Sequence, residues 1–152
     1  MGFGTLSLKG RALRLLSQRE HSRAELVAKL GPHVQEGEDL GALLDDLQAK
    51  DFINETRVVE SVVHRRASRL GAARIRQELQ AKGLPAEAVQ CAVEQLKDSE
   101  LDRAREVWRR KFGAVAPDAP ARAKQMRFLM ARGFSGDVVH RVVRGRDGPD
   151  AG

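Results

Sequence analysis

The side chains of this sequence that are best suited to chemistry are two clusters of arginine and lysine, about 50 residues apart. A guanidinium group forms paired, charge-assisted hydrogen bonds with phosphates and carboxylates. The clusters therefore predict a surface that binds either DNA phosphates or an acidic protein. The candidate residues are Arg65, Arg66, Arg69, Arg74, Arg76 and Lys82 in the first cluster, and Arg109, Arg110, Lys111, Arg122, Lys124, Arg127 and Arg132 in the second.

The same basic residues have a second interpretation. On an exposed helix an arginine stem often covers apolar surface while its charged head pairs with a carboxylate. Glu60, Glu78, Glu94 and Glu106 lie close enough along the chain to act as such partners. This interpretation is favoured for any single cation. The repetition of the whole cluster is the stronger indication of a binding surface.

The sequence contains no pattern typical of an active site. It has no Walker A phosphate loop, no G-x-S-x-G nucleophile motif and no dinucleotide G-x-G-x-x-G motif. The four histidines are scattered and do not form an H-E-x-x-H pair. Asp45 and Asp46 are adjacent, so on a helix their side chains diverge by about 100°. We therefore predict that the protein is not an enzyme and has no metal or cofactor.

Composition and charge favour a helical protein with surfaces of both signs. Aromatic residues make up only 4% of the chain, which suits thin helical layers of Leu, Val and Ala. The net charge is +6, yet residues 36–60 hold eight acidic residues against two basic ones. The single cysteine, Cys91, is predicted to be a small core residue in a reducing compartment. Without a long apolar run, we expect a cytoplasmic monomer with no membrane segment.

An internal repeat with a period close to 50 residues predicts how the helices are organised. The apolar residues of one helix, Leu40, Leu43, Leu44 and Leu47, recur at fixed offsets in two later segments. The matching residues are Val89, Ala92, Val93 and Leu96, and then Val139, Val142 and Val143. Stacked repeats build an elongated body with a continuous face that usually binds another macromolecule.

We predict an all-α fold of nine helices in three tandem three-helix repeats of about 50 residues. Their expected bounds are residues 1–52, 53–98 and 99–145, followed by a disordered tail over 146–152. Helix starts are predicted at Ser22, where Ser22 and Glu25 form a capping box, and at Asn54, Asp118 and Ser135. We expect Phe52 and Ile53 to pack under the first junction, and Met126, Leu129 and Met130 to line a core.

Several segments together resemble the RecX family of bacterial regulators of the RecA recombinase. The similarity extends from the first helix to Arg144, and the order and spacing of the segments carry it. The segments are REHSRAEL at 19–26, RIRQEL at 74–79, KGL at 82–84, WRRKFG at 108–113 and RAKQMRFL at 122–129, followed by Arg132-Gly133-Phe134.

The resemblance implies a curved, elongated body that binds in the groove of the RecA–DNA filament. A protein of this kind is expected to inhibit strand exchange, ATP hydrolysis and coprotease activity, with RecA and single- or double-stranded DNA as its partners. Charge reversal of Arg109, Arg110 and Lys111 is then expected to weaken filament binding. The alternative is a small basic helical DNA-binding protein that acts without RecA, for which tight, salt-sensitive binding to naked DNA is expected.

Overall fold

The structure is a computed structural model, and it describes residues 6–144. All regular elements in that range are helical, which confirms the all-α prediction. In chain order they are α1 (Leu8–Gln18), α2 (Arg23–Leu30), a 3-10 turn (Gly31–His33), α3 (Leu40–Ala49), α4 (Glu55–Arg66), α5 (Ala72–Ala81), α6 (Ala86–Lys97), α7 (Glu100–Lys111), α8 (Ala119–Ala131) and α9 (Gly136–Val143).

Short polar side chains start most of these helices, as the sequence predicted. The Ser22 hydroxyl accepts from the Glu25 N–H at 3.1 Å, and Glu25 Oε1 accepts from the Ser22 N–H at 2.9 Å. Asn54, Asp118 and Ser135 also accept from an N–H group in the first turn of the helix that follows. Each cap satisfies a donor that has no partner within its own helix.

The nine described helices enclose three apolar cores, and we name the groups repeat one (α1–α3), repeat two (α4–α6) and repeat three (α7–α9). Their fully buried members include Leu26, Leu30, Leu44 and Leu47, then Val58, Val62, Ile75 and Leu79, then Leu129, Val139 and Val142. The exact repeat boundaries stay a prediction. The predicted tail over 146–152 lies outside the described residues.

Three residues that were expected in a core lie at the surface. Cys91 is exposed, Phe52 is 47% exposed and Met130 is 51% exposed. In repeat three a polar residue, Gln125, is buried instead. Its amide accepts from Trp108 Nε1 at 2.9 Å and donates to the Ala114 carbonyl at 3.1 Å, so it lies in the core without an unpaired polar group.

Repeat one meets repeat two through polar contacts. The Ser22 hydroxyl donates to the Lys82 carbonyl at 2.6 Å, across 60 residues of sequence. Glu25 Oε2 accepts from Arg19 at 2.7 Å and from the Lys82 ammonium at 3.1 Å. A second ion pair joins Arg57 to Glu20 at 2.9 Å. Hydrogen bonds and ion pairs therefore hold the first junction together.

The Glu25 carboxylate makes the stability of this junction depend on pH. Burial alone would raise its pKa, but hydrogen bonds from Arg19, the Ser22 N–H and Lys82 hold the pKa at about 2. Its stabilising effect is therefore complete above about pH 4.5 and is lost as the pH falls towards 2. We expect the unfolding free energy to fall by about 1 to 2 kcal/mol between pH 7 and pH 3 through this group, after allowance for solvent screening.

Urea unfolding at both pH values measures this effect. In Glu25→Gln, the difference between the unfolding free energies at pH 7 and pH 3 should be smaller by the same amount, about 1 to 2 kcal/mol, which is the contribution of this group. A control, Glu87→Gln, changes an exposed carboxylate in the first turn of α6 and should leave the difference as it is. An unchanged pH dependence in Glu25→Gln would show that the carboxylate does not stabilise the fold.

Repeat two meets repeat three through backbone hydrogen bonds. The Gly71 N–H donates to the Arg132 carbonyl at 2.8 Å, and the Ala73 N–H donates to the Gly133 carbonyl at 3.2 Å. Both glycines are required, because a Cβ on Gly71 would lie 2.3 Å from the Gly133 oxygen, and Gly133 has a φ of +93°. The start of α5 is thereby fixed against the end of α8.

Candidate functional site

Six of the predicted cations line two adjoining clefts along the junction between repeats two and three. The first cleft, about 450 Å3, is bordered on both sides by arginines and contains one carboxylate, Glu78. The second, about 280 Å3, has the Phe128 ring in its wall. Arg69 and Arg132 border both clefts, so the two clefts adjoin. We call this surface the basic groove, and its cations are Arg66, Arg69, Arg74, Arg110, Lys111 and Arg132.

Contacts across the junction hold several of these cations in place. Arg74 donates to the Ala131 carbonyl at 2.7 Å, and Arg110 donates to the Ser68 carbonyl at 2.8 Å. Each of these bonds uses one nitrogen of the guanidinium group, which has five N–H donors in all. Fixing an arginine in this way reduces the conformational entropy that is lost when an anion binds.

Two cations of the basic groove lie against the aromatic ring of Phe128. The Lys111 ammonium is 5.2 Å from the ring centroid, and the guanidinium carbon of Arg132 is 4.8 Å from it. Phe112 contacts the same ring edge-on, with centroids 5.5 Å apart and an angle of 85°. The negative face of an aromatic ring attracts cations, so Phe128 helps to fix the positions of Lys111 and Arg132.

The structure gives one cation of the groove a close anionic partner. The Nε atom of Arg66 lies 3.0 Å from Glu78 Oε1, and Arg65 lies 4.0 Å from the other oxygen of that carboxylate. Arg65 is therefore at the edge of the groove, where it shares Glu78 with Arg66. The groove keeps an excess of positive charge, because this one carboxylate faces six cations.

The remaining predicted cations do not join the groove. Lys82 is only 13% exposed and pairs with Glu25, so it holds the first junction and presents no charge to a partner. Arg109 pairs with Glu106 at 3.1 Å, and Arg76 donates to Gln90 at 3.4 Å. These contacts are of the kind expected from the structural interpretation, and the binding role of these positions stays a prediction.

Three more predicted cations lie on the outer surface of α8. Lys124 and Arg127 are exposed there, outside the basic groove. Arg122 lines a separate cleft of about 550 Å3 beside α9, together with His140 and Arg144. The second sequence cluster is thus divided among the groove, the outer surface of α8 and the cleft beside α9, because α8 directs its cations to different sides.

The sequence analysis missed two residues that shape this region, Phe128 and Arg103. A signal for Phe128 was available, because Phe128 and Arg132 are four residues apart and are neighbours on one helix face. Arg103 had no such signal, since two of its partners, Ala67 and Leu70, lie 36 and 33 residues away in the chain. It donates to the carbonyls of Ala67 at 2.9 Å, Leu70 at 2.7 Å and Leu96 at 3.1 Å.

Residues 6–144 lack two other kinds of site or segment. No three His, Cys, Asp or Glu side chains are grouped so that they could hold a metal ion. No helix in this range is long and apolar enough to cross a membrane.

The described part of the chain is thus an all-helical repeat protein with a preformed cationic groove between its last two repeats. Comparison with known proteins makes the assignment specific. Residues 54–93 match the family model of the second three-helix domain of RecX, and residues 98–143 match the model of its third three-helix domain. The chain belongs to the RecX family.

Relatives that are named regulatory proteins align with nearly the whole chain. A Regulatory protein RecX of Leptothrix cholodnii is 59% identical over 91% of this chain and 88% of its own length. One of Ralstonia nicotianae is 52% identical over 93% of this chain and 89% of its own length. The crystal structure of RecX from Lactobacillus salivarius has a TM-score of 0.76 at 20% identity, covering 91% of this chain and 93% of that one, which confirms the fold.

Proposed function

We propose that this protein binds the filament that RecA forms on DNA and lowers its ATPase, recombinase and coprotease activities. Membership of a family whose relatives are named regulatory proteins supports a regulatory role. The basic groove is the observation that carries the proposal for this chain, because six cations along one junction suit a polyanionic partner. Such a role needs a binding surface and no catalytic group.

The test is DNA-dependent ATP hydrolysis by the cognate RecA on single-stranded DNA. We expect the rate to fall when this protein is added at far less than one copy per RecA protomer, because each copy acts on a filament and not on a free subunit. The double variant Arg110→Glu, Lys111→Glu should need at least about tenfold more protein for the same inhibition, since reversed charges repel the polyanion.

A matched double variant controls for the change in net charge. Lys50→Glu, Lys97→Glu reverses two exposed lysines, which pair with Asp46 and Glu94 at the surface and lie outside the groove. It should inhibit as the unmodified protein does. Equal inhibition by a folded Arg110→Glu, Lys111→Glu variant would remove these two groove residues from the proposed binding surface.

The second candidate is a DNA-binding protein that acts without RecA. The same groove favours it, because cations in a row suit a phosphate backbone whether or not RecA is present. It predicts that the RecA ATPase rate is unchanged at substoichiometric ratios, while naked DNA is bound tightly and with a steep dependence on salt.

A further inference from the structure

We propose that the basic groove holds two successive phosphates of one DNA strand, in two subsites that adjoin where repeat two meets repeat three. The inference rests on the proposed function, and it adds the ligand of the groove and the side chains that recognise it. Beside the ion pair of Arg66 with Glu78, the first subsite lies among Arg74 and the shared pair Arg69 and Arg132. The second lies among the same pair with Arg110 and Lys111.

The arrangement of the two clefts favours a phosphodiester chain over other anions. A nucleic-acid strand presents one negative charge per nucleotide at a regular spacing, and two cationic clefts that share a border match two neighbouring charges. An isolated carboxylate would need only one cleft. Arginine also suits the tetrahedral phosphate, because its planar group of N–H donors can contact two oxygens at once.

Phe128 is a positioning residue for the second subsite. Lys111 and Arg132 both lie over the Phe128 ring, whose negative face attracts each of them. The ring also fixes where the two charged groups lie, so that both border the small cleft. An aliphatic side chain of similar size would fill the same space and would not attract the cations.

The junction between repeats two and three positions residues of both subsites. The Arg132 carbonyl accepts a hydrogen bond from the Gly71 N–H, and the Arg132 side chain borders the groove. The backbone bond that joins the two repeats therefore also positions a cation that both subsites share. Arg110 reaches back from repeat three to the Ser68 carbonyl of repeat two. The two subsites are therefore complete only when repeats two and three are docked.

The experiment measures binding of a fluorescein-labelled oligodeoxythymidylate by anisotropy, without RecA, at several salt concentrations. For the double variant Arg110→Gln, Arg132→Gln we expect at least about tenfold weaker binding. Its slope of log affinity against log salt should be smaller by about one, because fewer counterions are released per complex. The control Lys50→Gln, Lys97→Gln removes the same net charge outside the groove and should keep both the affinity and the slope.

Variants at Phe128 test its positioning role. Phe128→Leu should weaken binding several-fold while the protein stays folded by circular dichroism, because the cations lose the ring that holds them. Phe128→Tyr keeps the ring and should restore the affinity. Equal affinities for the Leu variant and the unmodified protein, or a loss of affinity that the Tyr variant does not restore, would refute the role of the ring.

Three outcomes would overturn the two-phosphate assignment. The first is no measurable binding of the oligonucleotide by the unmodified protein. The second is an unchanged salt slope in a folded Arg110→Gln, Arg132→Gln variant. The third is the loss of RecA inhibition in that variant while its oligonucleotide binding is unchanged, since the groove then receives carboxylates of a protein.

The assignment and the proposed function fail in different ways. Groove-dependent binding of the oligonucleotide, together with an unchanged RecA ATPase rate, would support the two subsites and refute the RecA proposal. Inhibition of RecA by the protein, together with oligonucleotide binding that is unchanged in the groove variant, would support the RecA proposal and refute the two subsites. Both measurements use the full chain, so neither requires that a repeat fold alone.

Discussion

Arg103→Met is expected to destabilise the protein by about 3 to 5 kcal/mol. The guanidinium of Arg103 is 13% exposed and donates to three backbone carbonyls, two of them in the segment between α4 and α5. It also lies 3.9 Å from Glu100, which is 6% exposed and accepts the Ala72 N–H at 2.7 Å. Methionine would fill the space but leave the carbonyls without donors and the buried carboxylate without a cation.

Urea unfolding followed by circular dichroism gives the free energy of unfolding for this test. The control is Lys97→Met, at a residue whose side chain is 60% exposed and pairs with Glu94 on its own helix; its effect should stay below about 1 kcal/mol. Adding Glu100→Gln to Arg103→Met should recover part of the loss, because the unpaired charge is removed. A single variant as stable as the unmodified protein would show that Arg103 does not hold the second junction.

Gly71→Val is expected to cost about 3 kcal/mol and to separate repeat three from repeat two. A Cβ at this position would lie 2.3 Å from the Gly133 oxygen and 2.4 Å from the Phe134 nitrogen, and both are backbone atoms that cannot rotate away. The Gly71 N–H would also lose its bond to the Arg132 carbonyl. Because Arg132 borders both clefts, the groove should lose its phosphate affinity together with the junction.

The measurements for Gly71→Val are urea unfolding and oligonucleotide anisotropy on the same preparation. Gly136→Ala provides the control, because a Cβ there meets no atom within 4 Å in the first turn of α9. It should change stability by less than about 1 kcal/mol and leave binding as it is. Normal stability in Gly71→Val would contradict the close approach of the two backbones. Normal oligonucleotide binding in a destabilised Gly71→Val variant would instead show that the binding by the groove does not depend on the junction.

Much of the fold was predictable because it depends on neighbours in sequence. The Ser22–Glu25 capping box lies within four residues, and the apolar spacing of Val89, Ala92, Val93 and Leu96 defines one face of one helix. The repeat of this pattern predicted the three-helix groups, and the order of the basic segments predicted the family. These features can be predicted without knowing how one repeat packs against the next.

The predictions that failed concern positions where local pattern and packing disagree. Cys91 lies between residues of the buried stripe of α6, yet it points to solvent, since adjacent residues on a helix differ by about 100° in direction. Met130 is exposed, while Gln125 is buried because Trp108 and Ala114 supply its hydrogen bonds. Hydrophobicity alone cannot identify a buried polar residue whose hydrogen-bond partners come from other segments.

The sequence by itself determined the helices, their grouping, the family and the supply of positive charge. Only the tertiary structure decided which cations meet. Lys82 was withdrawn into an ion pair with Glu25, whereas Arg74 reached Ala131 across 57 residues of sequence and Arg110 reached Ser68 across 42. The physical reason is that helical periodicity fixes the face on which a residue lies, but not the rotation between repeats. The contacts of Gly71, Gly133 and Arg103 set that rotation, and with it the groove.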